Sequence, residues 1–189
     1  MGINWKRKLF HILFSLVLYL LCSYSEKFYF IIFLSHLLIF FLIWEFLRLK
    51  FPQIVPFSYL WAPLLKEKEF NKLSDATFYL MGILISAFLV SRKDLGYLIL
   101  VLGIADPLAG IVGSLYGKKF LRFNKSLFGS LIFFLCTFFI GKLYLNYPFG
   151  ILLVLGLFLS FVEFFSERDN FWVPFGGALF LKIIQALPK

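Results

Sequence analysis

The chain has 189 residues, of which 61% are hydrophobic and only 15% charged, whereas soluble domains carry about 25% charged residues. A water-soluble fold of this size cannot hide so much apolar surface, so lipid is the expected solvent of the fold. The net charge of +9 does not imply a nucleic-acid partner. The cations sit in short stretches between apolar runs, where Lys and Arg orient a membrane protein, and a basic site for an anionic ligand is compatible with that role.

Seven hydrophobic segments follow one another, at 8–24, 28–48, 73–91, 95–113, 127–145, 149–165 and 173–187. The expected fold is therefore all-α: a polytopic integral membrane protein of about seven transmembrane helices, forming a single catalytic domain over 1–189. The first segment follows Lys6-Arg7-Lys8 like a signal sequence but lacks a small-residue cleavage site, so it reads as a retained helix. Between the second and third segments, 49–72 is Pro-punctuated and amphipathic, with Trp61, Leu64 and Leu65 against Lys66, Glu67, Lys68 and Glu69. That stretch is expected to lie in the interface. The last segment is short and interrupted by Gly176 and Gly177. Cys22 and Cys136 lie far apart in the topology and are not expected to pair.

With the N-terminus in the cytoplasm, the inner connections hold 13 Lys and Arg and the outer ones 6, which is the bias expected of a cytoplasmic N-terminus. The same assignment brings nearly every polar cluster to one membrane face. The sharpest is 103–130. Asp106 lies roughly 10 Å from the cytoplasmic end of an apolar segment at 1.5 Å per residue, and a carboxylate there needs a partner or a wet cavity. Asp106, Gly110, Gly113 and Gly117 share one helical stripe, which suits either close helix packing or close approach of a phosphate. Lys118, Lys119, Arg122 and Lys125 follow, and Ser126, Gly129 and Ser130 open the next helix. Cations before a helix start suit a phosphate chain.

A second cluster is Glu163 with Ser166, Glu167, Arg168, Asp169 and Asn170. If the helix continues, Glu163, Glu167 and Asn170 share a face. Beside a phosphate-binding loop these oxygens suggest Mg²⁺, and a solvated helix end is the alternative. Arg7, Lys8 and His11 form a third cluster, as site residues or interfacial anchors. Glu45 with Arg48 forms a fourth, as an internal ion pair or a ligand contact.

In order, KRKLFH (6–11), EFLRL (45–49), KEKE (66–69) with LSDATFYLMG (73–82), ADPLAGIVGSLYGK (105–118), NKSLFGS (124–130) and FVEFFSERDNFWVP (161–174) resemble the blocks of the CTP-dependent lipid kinases. That family includes dolichol, phytol and farnesol kinases and CTP-using diacylglycerol kinases. The resemblance implies transfer of the γ-phosphoryl group of CTP to the hydroxyl of a membrane lipid alcohol. It implies that Lys118, Lys119 and Lys125, with Gly110, Gly113, Gly117, Ser126 and Gly129, hold the triphosphate. Asp106, Glu163 and Asp169 would hold Mg²⁺ or accept the hydroxyl proton, assisted by Asn170. Three residues depart from the family pattern: Ala105 and Asp75 stand where Gly is usual, and Phe128 replaces the Glu of the EGS element. A CMP-transferring cytidylyltransferase is the competing enzyme class, but its paired-aspartate signature with Gly-His-Gly is missing. A small transporter or structural membrane protein is the non-enzymatic alternative. The expected partners are CTP, the lipid alcohol and the bilayer, not nucleic acid. The short chain points to a prokaryotic plasma membrane with the site facing the cytoplasm.

Overall fold

In the computed structural model, which describes residues 4–56, 58–117 and 125–187, all regular structure among those residues is helical. Seven principal helices coincide with the seven hydrophobic segments. They are α1 Trp5–Tyr24, α2 Lys27–Lys50, α3 Asp75–Leu89, α4 Arg92–Tyr116, α5 Leu127–Tyr144, α6 Phe149–Phe165 and α7 Asp169–Ala186. Four of them, α1, α2, α4 and α5, are long and apolar enough to cross a membrane, while α3 and α6 are shorter apolar helices.

Local chemistry sets several boundaries. The side chains of Asn4, Ser74, Ser91 and Ser126 each accept a hydrogen bond from a backbone N–H in the first turn of the helix that follows, which satisfies a donor the helix itself leaves orphaned. In α4, a π turn spans Val101–Ala105 immediately before Asp106 and Pro107. A proline ring collides with the carbonyl four residues back and has no N–H to offer it. The wider turn therefore lets the helix run through Pro107.

The core sits along α3 and the first half of α4, where Leu80, Ile83, Ala87, Leu95, Leu98 and Ile99 are fully buried. Helix α7 packs closely on α3, and α5 lies between α4 and α6. Close approach depends on glycine: a Cβ at Gly82 would come within 2.7 Å of Pro174, and one at Gly177 within 2.5 Å of Leu98. The pair Gly176 and Gly177 therefore does not break the last helix, which runs unbroken through Pro174 as well. The outward faces of α1 and α2 remain apolar, with Leu13, Val17, Phe40, Ile43 and Phe46 exposed. In water that surface is untenable; against lipid tails it is ordinary.

The stretch between α2 and α3 holds one turn of α-helix at Ser58–Trp61 and two 3₁₀ turns. Arg48 clamps it. Its guanidinium donates to the carbonyls of Glu69 (2.8 Å), Phe70 (3.2 Å) and Lys72 (2.8 Å) and pairs with Glu45. Glu45 in turn accepts from the backbone N–H of Ser74 at 3.2 Å. Both side chains are buried and form an internal ion pair.

Polar groups gather at the two ends of the bundle. At one end Lys27 and Arg92 bond the carbonyls of Val90 and Ser25, and Asp94 accepts from Ser91, Gln185 and Tyr147. The other end holds Arg7, Asp75, Lys125, Glu163 and Asp169.

Candidate active site

Three carboxylates from three helices meet at the second end. Asp106 comes from α4 just after the π turn, Glu163 from the last turn of α6 and Asp169 from the first residue of α7. One oxygen of each lies within 4.8 Å of the others. Lys125, just ahead of α5, bonds both Glu163 and Asp169 through its ammonium group. Ser130, one turn into α5, donates to the second oxygen of Glu163 at 3.1 Å. Burial works against the Lys125 ammonium, but the carboxylates of Asp169 and Glu163 outweigh it and hold its pKa above the usual lysine value. The lysine is charged, and set between two of the three carboxylates it offsets one negative charge.

Glu163, Glu167 and Asn170 do not share one helical face. Helix α6 ends at Phe165, Ser166 is extended, and α7 begins at Asp169. The chain reverses between them, so Asp169 reaches Glu163 across a turn rather than along a helix. Glu167 is left exposed in that turn, while Asn170 is buried and its side-chain oxygen has no hydrogen-bond partner among the described residues.

The glycine stripe of α4 divides by partner. A Cβ at Gly117 would come within 2.2 Å of Ser126, and one at Gly113 within 2.7 Å of the same hydroxyl and 3.3 Å of Gly129. The space beside these two is therefore taken by the start of α5, which is helix packing. Gly110 instead faces the ammonium end of Lys8, 2.3 Å from where its Cβ would be. Lys8 and His11, both on α1, are neighbours of Asp106. Lys118, Lys119, Arg122 and Asn124 lie outside the described residues.

A second ionic cluster adjoins the first. Asp75, at the start of α3, is met by Lys66 (2.5 Å), Arg7 (2.9 Å) and Arg168 (3.9 Å). Arg168 also stacks over the ring of Phe78, 4.1 Å from its centroid, and is the residue immediately before Asp169. Glu69 lies 3.4 Å from Arg7. Burial first, and the neighbouring Asp75 carboxylate second, raise the Glu69 pKa above its ordinary value. The sequence reading had Arg7 as a candidate but did not join it to Asp75, Lys66 or Arg168. Those contacts cross 68 residues of chain from Arg7, and no spacing rule reaches that far.

Phe128, where the family pattern has Glu, is exposed on the first turn of α5. Glu163 and Asp169, the two acids available to stand in for that Glu, both belong to the carboxylate group.

An all-helical bundle with four membrane-length apolar helices and a carboxylate–lysine cluster at one end defines the class of this protein. Among curated proteins, the chain is 34% identical over 119 residues to an uncharacterized protein of Methanocaldococcus jannaschii, covering 58% of each. It is 31% identical over 156 residues to CTP-dependent diacylglycerol kinase 1 of Eremothecium gossypii, covering 67% of this chain and 49% of that protein. The similarity is distant, and the chain spans about half the length of the curated relatives it matches. No family model and no solved structure matches it.

Proposed function

We propose that this chain is a membrane lipid kinase of the CTP-dependent family, transferring the γ-phosphoryl group of CTP to the hydroxyl of a lipid alcohol. The observation that carries the reading is the meeting of Asp106, Glu163 and Asp169 around Lys125 at one end of an apolar bundle. Distant similarity to a CTP-dependent diacylglycerol kinase supports it.

Phosphoryl transfer asks a protein for positioning, charge neutralisation and an oriented nucleophile. The all-oxygen donor set of the three carboxylates suits Mg²⁺, and the ion would supply neutralisation of the phosphate charge. Lys125, with Lys118 and Lys119, binds the triphosphate, aided by the capped start of α5 at Ser126 and Gly129. Asn170, with its buried unpartnered oxygen, supports the same pocket. In the transfer, the lipid oxygen bonds to the γ-phosphorus as the bond to the β–γ bridging oxygen breaks, and CDP leaves. We assign the hydroxyl proton to Asp106, the one carboxylate of the three that does not bond Lys125. The accompanying topology is seven spans with a cytoplasmic N-terminus, in a prokaryotic plasma membrane, so that the cluster faces cytoplasmic CTP.

Incubating the purified protein with γ-labelled CTP, Mg²⁺ and a panel of lipid alcohols tests the reaction. Label is expected in the lipid phase and is expected to vanish in a folded Asp106→Asn variant. Full activity in that variant refutes the role of Asp106. No label in any lipid, with label transferred instead from α-labelled CTP, replaces the kinase by a cytidylyltransferase.

A further inference from the structure

Next to the carboxylate group, on the side of His11, α1, α2, α3 and the stretch between α2 and α3 enclose a cavity of about 400 Å³. Helix α1 leans on α4 and α2 on α3, and the two touch each other only lightly, which leaves the space. Along α1 the lining runs from Arg7 to Ser15, about 12 Å at 1.5 Å per residue. Its walls are aromatic, with Phe14, Phe41, Trp44 and Trp61, and it reaches the outer surface of the bundle at Phe10 and Phe40, both exposed.

Three features say what fits. The walls are too apolar for a nucleotide or a sugar. Inside them, Ser15 and Tyr79 are each only 2% exposed. Their hydroxyls neighbour each other, yet neither has a partner in hydrogen-bonding geometry among the described residues. A buried hydroxyl left unpaired costs free energy that one small polar group would recover. Finally, His11 also lines the cavity, its ring set edge-on to Tyr79 at 5.5 Å between centroids. His11 is also a neighbour of Asp106. Arg7, Glu45, Arg48, Glu69 and Asp75 also line the cavity, but they are ion-paired among themselves. The two hydroxyls are uncharged and small, which suits an uncharged hydroxyl and not a phosphate headgroup. At about 30 Å³ for each water-sized unit, the volume holds roughly a dozen such units, so it takes the first part of one chain.

We propose that this cavity binds the acceptor: a long-chain lipid alcohol, hydroxyl inward against Tyr79 and Ser15 beside His11, with its chain leaving between α1 and α2 into the bilayer. The assignment rests on the lipid-kinase reading for the purpose of the site, but not for its occupancy. Tyr79 and Ser15 are then positioning residues for the acceptor.

The test is photolabelling, without CTP, by a long-chain alcohol carrying a diazirine near its hydroxyl, alongside acceptor KM in the transfer assay. Label is expected in peptides of α1, α2 and α3, competed by unlabelled alcohol but not by phosphatidylcholine. The double variant Ser15→Ala/Tyr79→Phe removes the unpaired hydroxyls, so it is expected to fold at least as well as the parent. It should weaken labelling and raise acceptor KM about tenfold, with the KM for CTP unchanged. Ala76→Leu, which fills the cavity, should weaken labelling comparably. Label on the outer faces of α5 and α6, or labelling unaffected by both variants, overturns the assignment even if transfer is robust. Competed label in the cavity without any transfer keeps the lipid site and sinks the kinase reading instead.

Discussion

Lys125 is the residue on which the carboxylate group depends. Its side chain is 20% exposed, and those of Glu163 and Asp169 are 5% and 16% exposed. Two carboxylates at such range repel in a medium of low dielectric, and the ammonium between them is their nearest countercharge. Removing one partner of a buried pair leaves an uncompensated charge, which typically costs 3–5 kcal/mol. Residual exposure here argues for the lower end. Lys125→Met is expected to destabilise the protein by about 3 kcal/mol, read as a fall in Tm in detergent. Adding Asp169→Asn should restore part of the loss, since it removes one of the stranded charges. An unchanged Tm in Lys125→Met would mean that solvent or ions already screen the acids, and the group would then be a wet surface feature.

At the scale of elements, the close seating of α4 on α5 fixes where Asp106 stands relative to Lys125. Gly117 and Gly110 lie on the same stripe of α4 but meet different neighbours, which makes them a matched pair for experiment. A methyl at Gly117 would sit 2.2 Å from the Cβ and hydroxyl of Ser126, the N-cap of α5, and neither helix end can easily yield. Gly117→Ala should cost about 1–3 kcal/mol, as overpacking does, and also disturb the cap. Gly110→Ala meets only the flexible end of Lys8, so its stability should stay within about 0.5 kcal/mol of the parent. Equal losses from both substitutions would contradict the packing described. The stripe itself was legible, because four residues at helical spacing declare a face. Which neighbour fills each notch was not, since Ser126 and Lys8 come from different helices in remote parts of the chain. The Glu163–Asp169 meeting was similarly half legible. The acids stood out against apolar surroundings, but the turn at 166–168 that brings them together carries no Pro or Gly to announce it.

For the whole molecule, helix length and polarity must be reconciled with a bilayer. Helices α3 and α6 have 15 and 17 residues, about 22 and 25 Å at 1.5 Å per residue, against a hydrocarbon core of about 30 Å. Neither is capable of standing alone across it. Helix α3 does not need to, because it is sheathed by α2, α4 and α7, and α6 ends at the carboxylate group. If all seven helices cross, Tyr24 and Asn146 belong to one side, and Lys68 and Glu167 to the side of the carboxylates. In a background with Cys22 and Cys136 replaced by Ser, single cysteines at these four exposed positions can be probed in intact cells with an impermeant maleimide. Tyr24→Cys and Asn146→Cys are expected to react from outside, and Lys68→Cys and Glu167→Cys only after permeabilisation. The reverse pattern would put the carboxylates where no cytoplasmic nucleotide reaches them and would end the kinase reading. Reaction of Tyr24→Cys and Lys68→Cys from the same side would show that α2 fails to cross, and the seven-span topology would fall with it.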